Sequence, residues 1–163
     1  AASLLARSQP IERQDADIDM LVNIGIADMP PGDRPRIRVE RHTAVRTVWM
    51  DMSLMRLALR NVLSNALKFS PPDQPVTIRL SDSDDPLAVL IDVIDHGPGI
   101  DAADVPHIFE RGMRGRRPDQ PAGLGLGLHI VKRVMELHGG TVQVVPVASG
   151  AVLRLVLEQS DAE

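Results

Sequence analysis

Arg60-Asn-Val-Leu-Ser-Asn-Ala-Leu-Lys-Phe69 is the stretch on which the reading of this chain turns. Asparagine is a poor helix former, because its short amide competes for backbone hydrogen bonds. Everything around Asn61 and Asn65 nevertheless carries a helical pattern. At about 100° per residue, Asn61, Asn65 and Lys68 fall in one narrow stripe, while Met55, Leu59, Val62, Ala66 and Phe69 line a separate apolar flank. One helix thus has a greasy side and a side bearing two amides and an ammonium. Amide oxygens suit a hard cation and an ammonium suits a phosphate, so the stripe points to a magnesium-nucleotide complex. Mg²⁺ keeps several waters and takes few protein ligands, so one asparagine oxygen is enough. The plainer alternative is a polar stripe that satisfies backbone groups in the core.

Outward from this helix, Asp51 or Ser53 is placed to cap its start, and Ser70-Pro-Pro-Asp-Gln-Pro75 stops it. Upstream, 36–40 and 44–50 read as strands close enough in sequence to pair as a hairpin, and Asp17 caps a short helix over 17–23. Residues 1–15 are weakly patterned. Downstream, 76–80 and 87–94 read as strands separated by an acidic turn over 82–86. One helical turn is expected within 102–109, a helix over 124–138 stopped by Gly139-Gly140, and a closing strand pair over 141–147 and 151–157. Strands and helices are mixed, and the last two strands lie too close in sequence for a crossover. The expected fold is an α/β sandwich, a mostly antiparallel mixed sheet covered on one face by about three helices.

Composition narrows the function. At 163 residues, one domain with a real core is expected. Trp49, Phe69 and Phe109 are the three aromatics, so the core is aliphatic. A net charge of -4 without a basic excess argues against nucleic-acid binding. With no cysteine, disulfides and thiolate metal sites are excluded. No apolar run approaches the roughly 18 residues that span a membrane. Ala1–Leu5 is too short for a signal peptide, and the absence of an initial methionine reads as a fragment.

Three further groups carry chemistry. Asp95-His-Gly-Pro-Gly-Ile100 follows a buried strand, so the Asp95 carboxylate sits at a strand end, placed to accept from an exocyclic amine such as adenine N6. Gly97 and Gly99 allow a flat ring to approach the backbone; the bland reading is a strand-to-loop turn. Gly123-Leu-Gly-Leu-Gly-Leu128 opens a helix and exposes successive N–H groups that favour anions. It lacks the Gly-Lys-Ser/Thr ending of a P-loop, and a flexible hinge is the alternative. Between them, 110–123 holds Arg111, Arg114, Arg116 and Arg117 in what reads as a mobile surface loop. Such a charge run is commonly a solvated face, yet arginine forks bind phosphate oxygens in pairs, so it is also placed to fold over a triphosphate. His42, His96, His107, His129 and His138 show no metal-ligand spacing; His129 and His138 read as surface or core-edge residues.

Taken in order, Asn-x-x-x-Asn-Ala-x-Lys-Phe, Asp-x-Gly-x-Gly-Ile, Ile-Phe-Glu-Arg and Gly-x-Gly-Leu-Gly-Leu resemble the catalytic, ATP-binding domain of bacterial sensor histidine kinases, over residues 35 to 157. The resemblance implies the Bergerat ATP-binding fold, shared with DNA gyrase B and MutL, and the cofactors ATP and Mg²⁺. It implies that Asn65 is the main Mg²⁺ ligand with Asn61 assisting, that Lys68 meets phosphate, and that Phe69 packs on adenine. Asp95 binds adenine N6, and Gly97, Gly99 and Ile100 line the base pocket. Ile108-Phe-Glu-Arg111 anchors a lid carrying Arg114 and Arg116, and Gly123, Leu124, Gly125, Leu126, Gly127 and Leu128 cradle the phosphates. Residues 1–20 are then the end of an upstream linker or dimerisation segment, and 21–163 the catalytic domain. The implied partners are a histidine-containing dimerisation domain and a response regulator. The implied location is cytoplasmic, in a membrane-bound parent sensor that this domain does not anchor.

Asn61 separates the cousins. ATP-hydrolysing relatives resemble this pattern with a glutamate there that activates water, and an amide cannot serve as a general base. Slow hydrolysis is expected, with the γ-phosphoryl kept for another acceptor by positioning and charge neutralisation. The departures are His96 in place of an asparagine, Gly112-Met113 in place of an aromatic, and Gly150-Ala151 in place of Gly-Thr. They imply a looser lid and weaker ATP binding. None of the five histidines lies in a phosphoacceptor motif. The alternatives are an ATPase of the same fold, a serine kinase of anti-sigma type, and a nucleotide-binding regulatory module.

Overall fold

The computed structural model describes residues 11–110 and 124–159. Strand β1 (Gln14–Asp17) leads into helix α1 (Ile18–Ala27). Strands β2 (Ile37–Arg41) and β3 (Thr47–Met50) precede helix α2 (Met52–Phe69). Strands β4 (Val76–Asp84) and β5 (Leu87–Asp95) follow, then helix α3 (Leu124–Leu137) and strands β6 (Thr141–Val145) and β7 (Ala151–Glu158). Five strands form one mixed sheet in the order β2-β4-β5-β7-β6, with β2 parallel to β4 and the other pairs antiparallel. The α/β sandwich expected from the sequence is therefore the one observed.

Alternation along the strands decides which face is covered. Leu153, Leu155 and Leu157 of β7 point the same way as Val89, Ile91 and Val93 of β5, into one aliphatic core. The three helices pack on that face, with Leu21 of α1, Leu59 of α2 and Val131 of α3 fully buried in the same cluster. On the opposite face, Glu40, Arg79, Asp92 and Arg154 stand in register across four strands. Arg79 Nε donates to Glu40 at 2.9 Å, and Arg154 grips Asp92 with both arms of its fork at 2.8 and 3.0 Å. That fork is why a carboxylate only 3% exposed is tolerated in an otherwise apolar strand.

Local signals set the helix ends. Asp51 accepts the Leu54 N–H at 3.1 Å and caps α2, and Asp17 does the same for α1 through Met20 at 3.0 Å. After α3, Gly139 takes a φ of +68°, and the N–H groups of Gly140 and Gly139 reach back to Met135 and Glu136 in a Schellman turn.

Several expectations need correction. β2 and β3 are not a hairpin: β2 joins β4, and β3 pairs with β1 in a separate two-stranded sheet. Residues 14–17 are therefore a strand, which the weak pattern of Gln-Asp-Ala-Asp concealed because only Ala16 is buried. β4 runs on to Asp84, so the turn over 82–86 shrinks to Asp85-Pro86, with Asp82 and Asp84 inside the antiparallel ladder. The helical turn within 102–109 is a short 3₁₀ turn at Val105–His107.

Candidate functional site: a cavity between α2, the β5 loop and α3

α2 carries its apolar flank into the core, which turns Asn65 and Phe69 toward the ends of β5 and β7. An empty space of about 650 Å³, part of it open to solvent, lies there. Its wall takes Asn65 and Phe69 from α2, Asp95 from the end of β5, Gly99 and Ile100 from the following loop, and Leu128 from α3. Three of the sequence groups, far apart along the chain, thus share one cavity.

Asp95 is held rather than free. Its Oδ1 accepts the Gly97 N–H at 2.9 Å. Burial pushes its carboxyl above the ordinary carboxylate value, opposed by the amide hydrogen bonds from Gly97 and Ala151. The neighbouring loop is packed backbone to backbone. A Cβ at Gly97 would stand 2.5 Å from the Phe69 carbonyl oxygen, so the loop folds directly over the end of α2. The Ser70 hydroxyl accepts the His96 N–H at 3.3 Å and ties the same two segments. Gly99 has a φ of +83° and lies against the carbonyl of Gly150, which itself has a φ of +69° and lies against the carbonyl of Asp95.

The other predicted residues fall less centrally. Gly97 and Lys68 are not on the wall, and Lys68 is exposed. Asn61, one turn before Asn65, donates from Nδ2 to the Leu57 carbonyl at 2.8 Å and faces Gly127 of α3. The backbone of Leu124, Gly125 and Leu126 forms the first turn of α3, where amide N–H groups have no partner within a helix. Arg111, Arg114, Arg116, Arg117 and Gly123 lie outside the described residues.

Sequence reading missed part of this wall. Asp101 and Asp104 border the cavity, and Asp104 is 3% exposed, yet nothing in the run Asp101-Ala-Ala-Asp104 marks it. Ser70, read as a helix stop, also positions the loop. His138, read as surface or core edge, is buried at 4% exposure. The sequence marks Gly150 as half of the Gly150-Ala151 pair, but not its positive φ, which only the backbone shows.

Among known proteins, the family model for Histidine kinase-, DNA gyrase B-, and HSP90-like ATPase matches residues 50–161. The chain belongs to that ATPase family. This ATPase domain is 35% identical over 147 residues to the probable sensor histidine kinase TcrY of Mycobacterium tuberculosis, covering 86% of the chain and 30% of TcrY. It spans between 13% and 30% of the curated relatives KdpD, MprB and TcrY. The solved structure of the mycobacterial sensor histidine kinase MprB superposes with a TM-score of 0.76 at 33% identity, over 89% of this chain and 97% of that one. Full-length ShkA, solved in complex with AMPPNP, gives a TM-score of 0.77 at 28% identity, over 99% of this chain and 34% of ShkA. The chain is an ATP-binding catalytic domain of the sensor histidine kinase type. No helix among the described residues is long and apolar enough to cross a membrane.

Proposed function

We propose that this domain binds Mg-ATP in the cavity and delivers the γ-phosphoryl to a histidine in a separate dimerisation domain, for relay to a response regulator. The observation that carries the reading is the convergence of Asn65, Asp95 and Leu128 on one cavity wall. The Asp95 carboxylate accepts from adenine N6, and Phe69 packs on the base. Gly97, by its close approach to the Phe69 carbonyl, holds the loop that follows Asp95 against the end of α2. Asn65 offers a hard amide oxygen to Mg²⁺, with Lys68 and the first-turn amides of α3 nearer the phosphates. Among the described residues no group of three carboxylate or imidazole ligands is available for a metal, which fits an ion brought in on the nucleotide. Bound there, Mg²⁺ neutralises charge on the triphosphate.

Asn61 has no basic atom, so this chain offers no general base for water at that position. The acceptor histidine lies outside these residues, reached through the segment 1–20, and the parent is a membrane-bound sensor whose membrane contact this domain does not make. Titration with Mg-ATP, followed by mixing with a dimerisation domain supplied in trans, tests the reading. Binding and acid-labile phosphate on the partner are expected. No binding at millimolar nucleotide, or acid-labile phosphate on this chain alone, overturns it.

A further inference from the structure

Gly127 is not where a glycine's backbone freedom is needed. The described glycines with positive φ are Gly99, Gly139 and Gly150, and Gly127 sits inside α3 in a conformation open to any residue. What distinguishes it is a neighbour on the other helix. A Cβ built there would stand 3.1 Å from Oδ1 of Asn61 and 3.8 Å from its Cβ. The Asn61 amide is not free to turn away, because Nδ2 donates to the Leu57 carbonyl at 2.8 Å. A flipped amide would set two acceptor oxygens against each other.

α2 and α3 run antiparallel, with Asn61 beside Gly127 at one end and Asp51 beside His138 at the other. Asn65 and Leu128, close along the chain to Asn61 and Gly127, are both on the cavity wall. We infer that Gly127 is a positioning residue: its missing side chain admits the locked Asn61 amide and so sets the distance between α2 and the start of α3 across the nucleotide cavity. On this assignment its task is helix spacing rather than phosphate contact. A methyl group there pushes the two helices apart and carries Leu128 away from Asn65. The consequence for nucleotide rests on the function proposed above; the packing itself does not.

A double-mutant cycle on the full chain separates the two. Gly127→Ala, Asn61→Ala and the double variant are melted without nucleotide and titrated with Mg-ATP. Gly127→Ala lowers the melting temperature of the wild-type chain. Added to Asn61→Ala it raises the melting temperature, because the clash is gone and alanine is the better helix former. A double variant that folds where Gly127→Ala alone does not supports the inference equally. In the wild-type background Gly127→Ala also weakens Mg-ATP binding by about tenfold or more, as the wall is displaced. Equal shifts of melting temperature in both backgrounds overturn the inference, as does a loss of affinity of the same size with and without the Asn61 amide. Should the wild-type chain fail to bind Mg-ATP, the nucleotide reading falls, and the melting cycle still decides the spacing role.

Discussion

Nε2 of His138 accepts the backbone N–H of Asp51 at 3.1 Å, fastening the last turn of α3 to the start of α2. Nδ1 of the same ring lies 2.8 Å from the Val134 carbonyl. These partners assign the neutral ring with its proton on Nδ1, since a carbonyl needs a donor and an amide needs an acceptor. The segment before β1 joins the same junction. The Glu12 N–H donates to the Asp51 carboxylate at 2.9 Å, and Arg13 donates to the Leu137 carbonyl at 3.3 Å. The ends of both helices that flank the cavity therefore meet beside the segment through which the chain enters the domain.

This junction is expected to weaken in acid. Burial holds the His138 imidazole below its ordinary value; the Val134 carbonyl hydrogen bond opposes it, Arg13 pushes the same way as burial, and Asp51 pushes against. A ring kept neutral in the folded state contributes stability above the unfolded value of about 6.5, lost as the pH falls through the lower folded value. The melting temperature of the wild-type chain should begin to drop as the pH falls below about 6.5. His138→Ala should be less stable by about 1–3 kcal/mol at neutral pH, from the unsatisfied Asp51 amide, and the gap should narrow in acid. A gap that is independent of pH would count against the assignment.

Asn65→Ala removes the amide proposed to meet Mg²⁺ while leaving the core intact, because Asn65 is only half-buried on the cavity wall. The stability change should stay near or below about 1 kcal/mol. Phosphotransfer to a dimerisation domain supplied in trans should be lost, as it should in Asn65→Asp. Retained transfer would remove Asn65 from the metal role.

Asp95→Asn keeps an oxygen for the Gly97 N–H but removes the negative charge. Hydrogen bonds to charged groups contribute about 1.5–3 kcal/mol, so ATP affinity should fall by about tenfold or more. The preference for ATP over GTP should shrink with it, measured by competition between the two nucleotides. Equal wild-type affinity for ATP and GTP would contradict the adenine role.

Gly150→Ala should damage the fold and the site together. Its φ of +69° costs an L-residue about 1–2 kcal/mol, and the added methyl would collide with the Asp95 carbonyl. A melting temperature lower by roughly 4 °C or more is expected for a domain of this size, with weaker ATP binding because Asp95 is displaced. Gly32→Ala, with nothing near its added Cβ, is the comparison that should leave both unchanged.

Much of the site is legible in the sequence. Asn65, Phe69, Asp95, Gly99, Ile100 and Leu128 each belong to one of its motifs, and all stand on one cavity. They are legible because each lies at a marked place in a pattern, a helix stripe or a strand end or a glycine run. Asp104 and Ser70 are not, because a lone aspartate or serine in a loop has no period that marks its direction. The strand at Gln14–Asp17 is hidden for a related reason: with one buried residue it has no alternation to detect.

Periodicity and capping depend on neighbours a few residues apart, and these the sequence determined by itself: the helices, most of the strands, the aliphatic core and the order of the motifs. Pairing partners and close approaches depend on contacts between residues distant along the chain, and there only the tertiary structure decided. It joined β2 to β4 instead of β3, set Gly150 against Asp95, Gly127 against Asn61 and His138 against Asp51, and thereby turned separate motifs into one wall. The physical reason is that such contacts take their energy from the packing of distant surfaces, which no local pattern of residue types encodes.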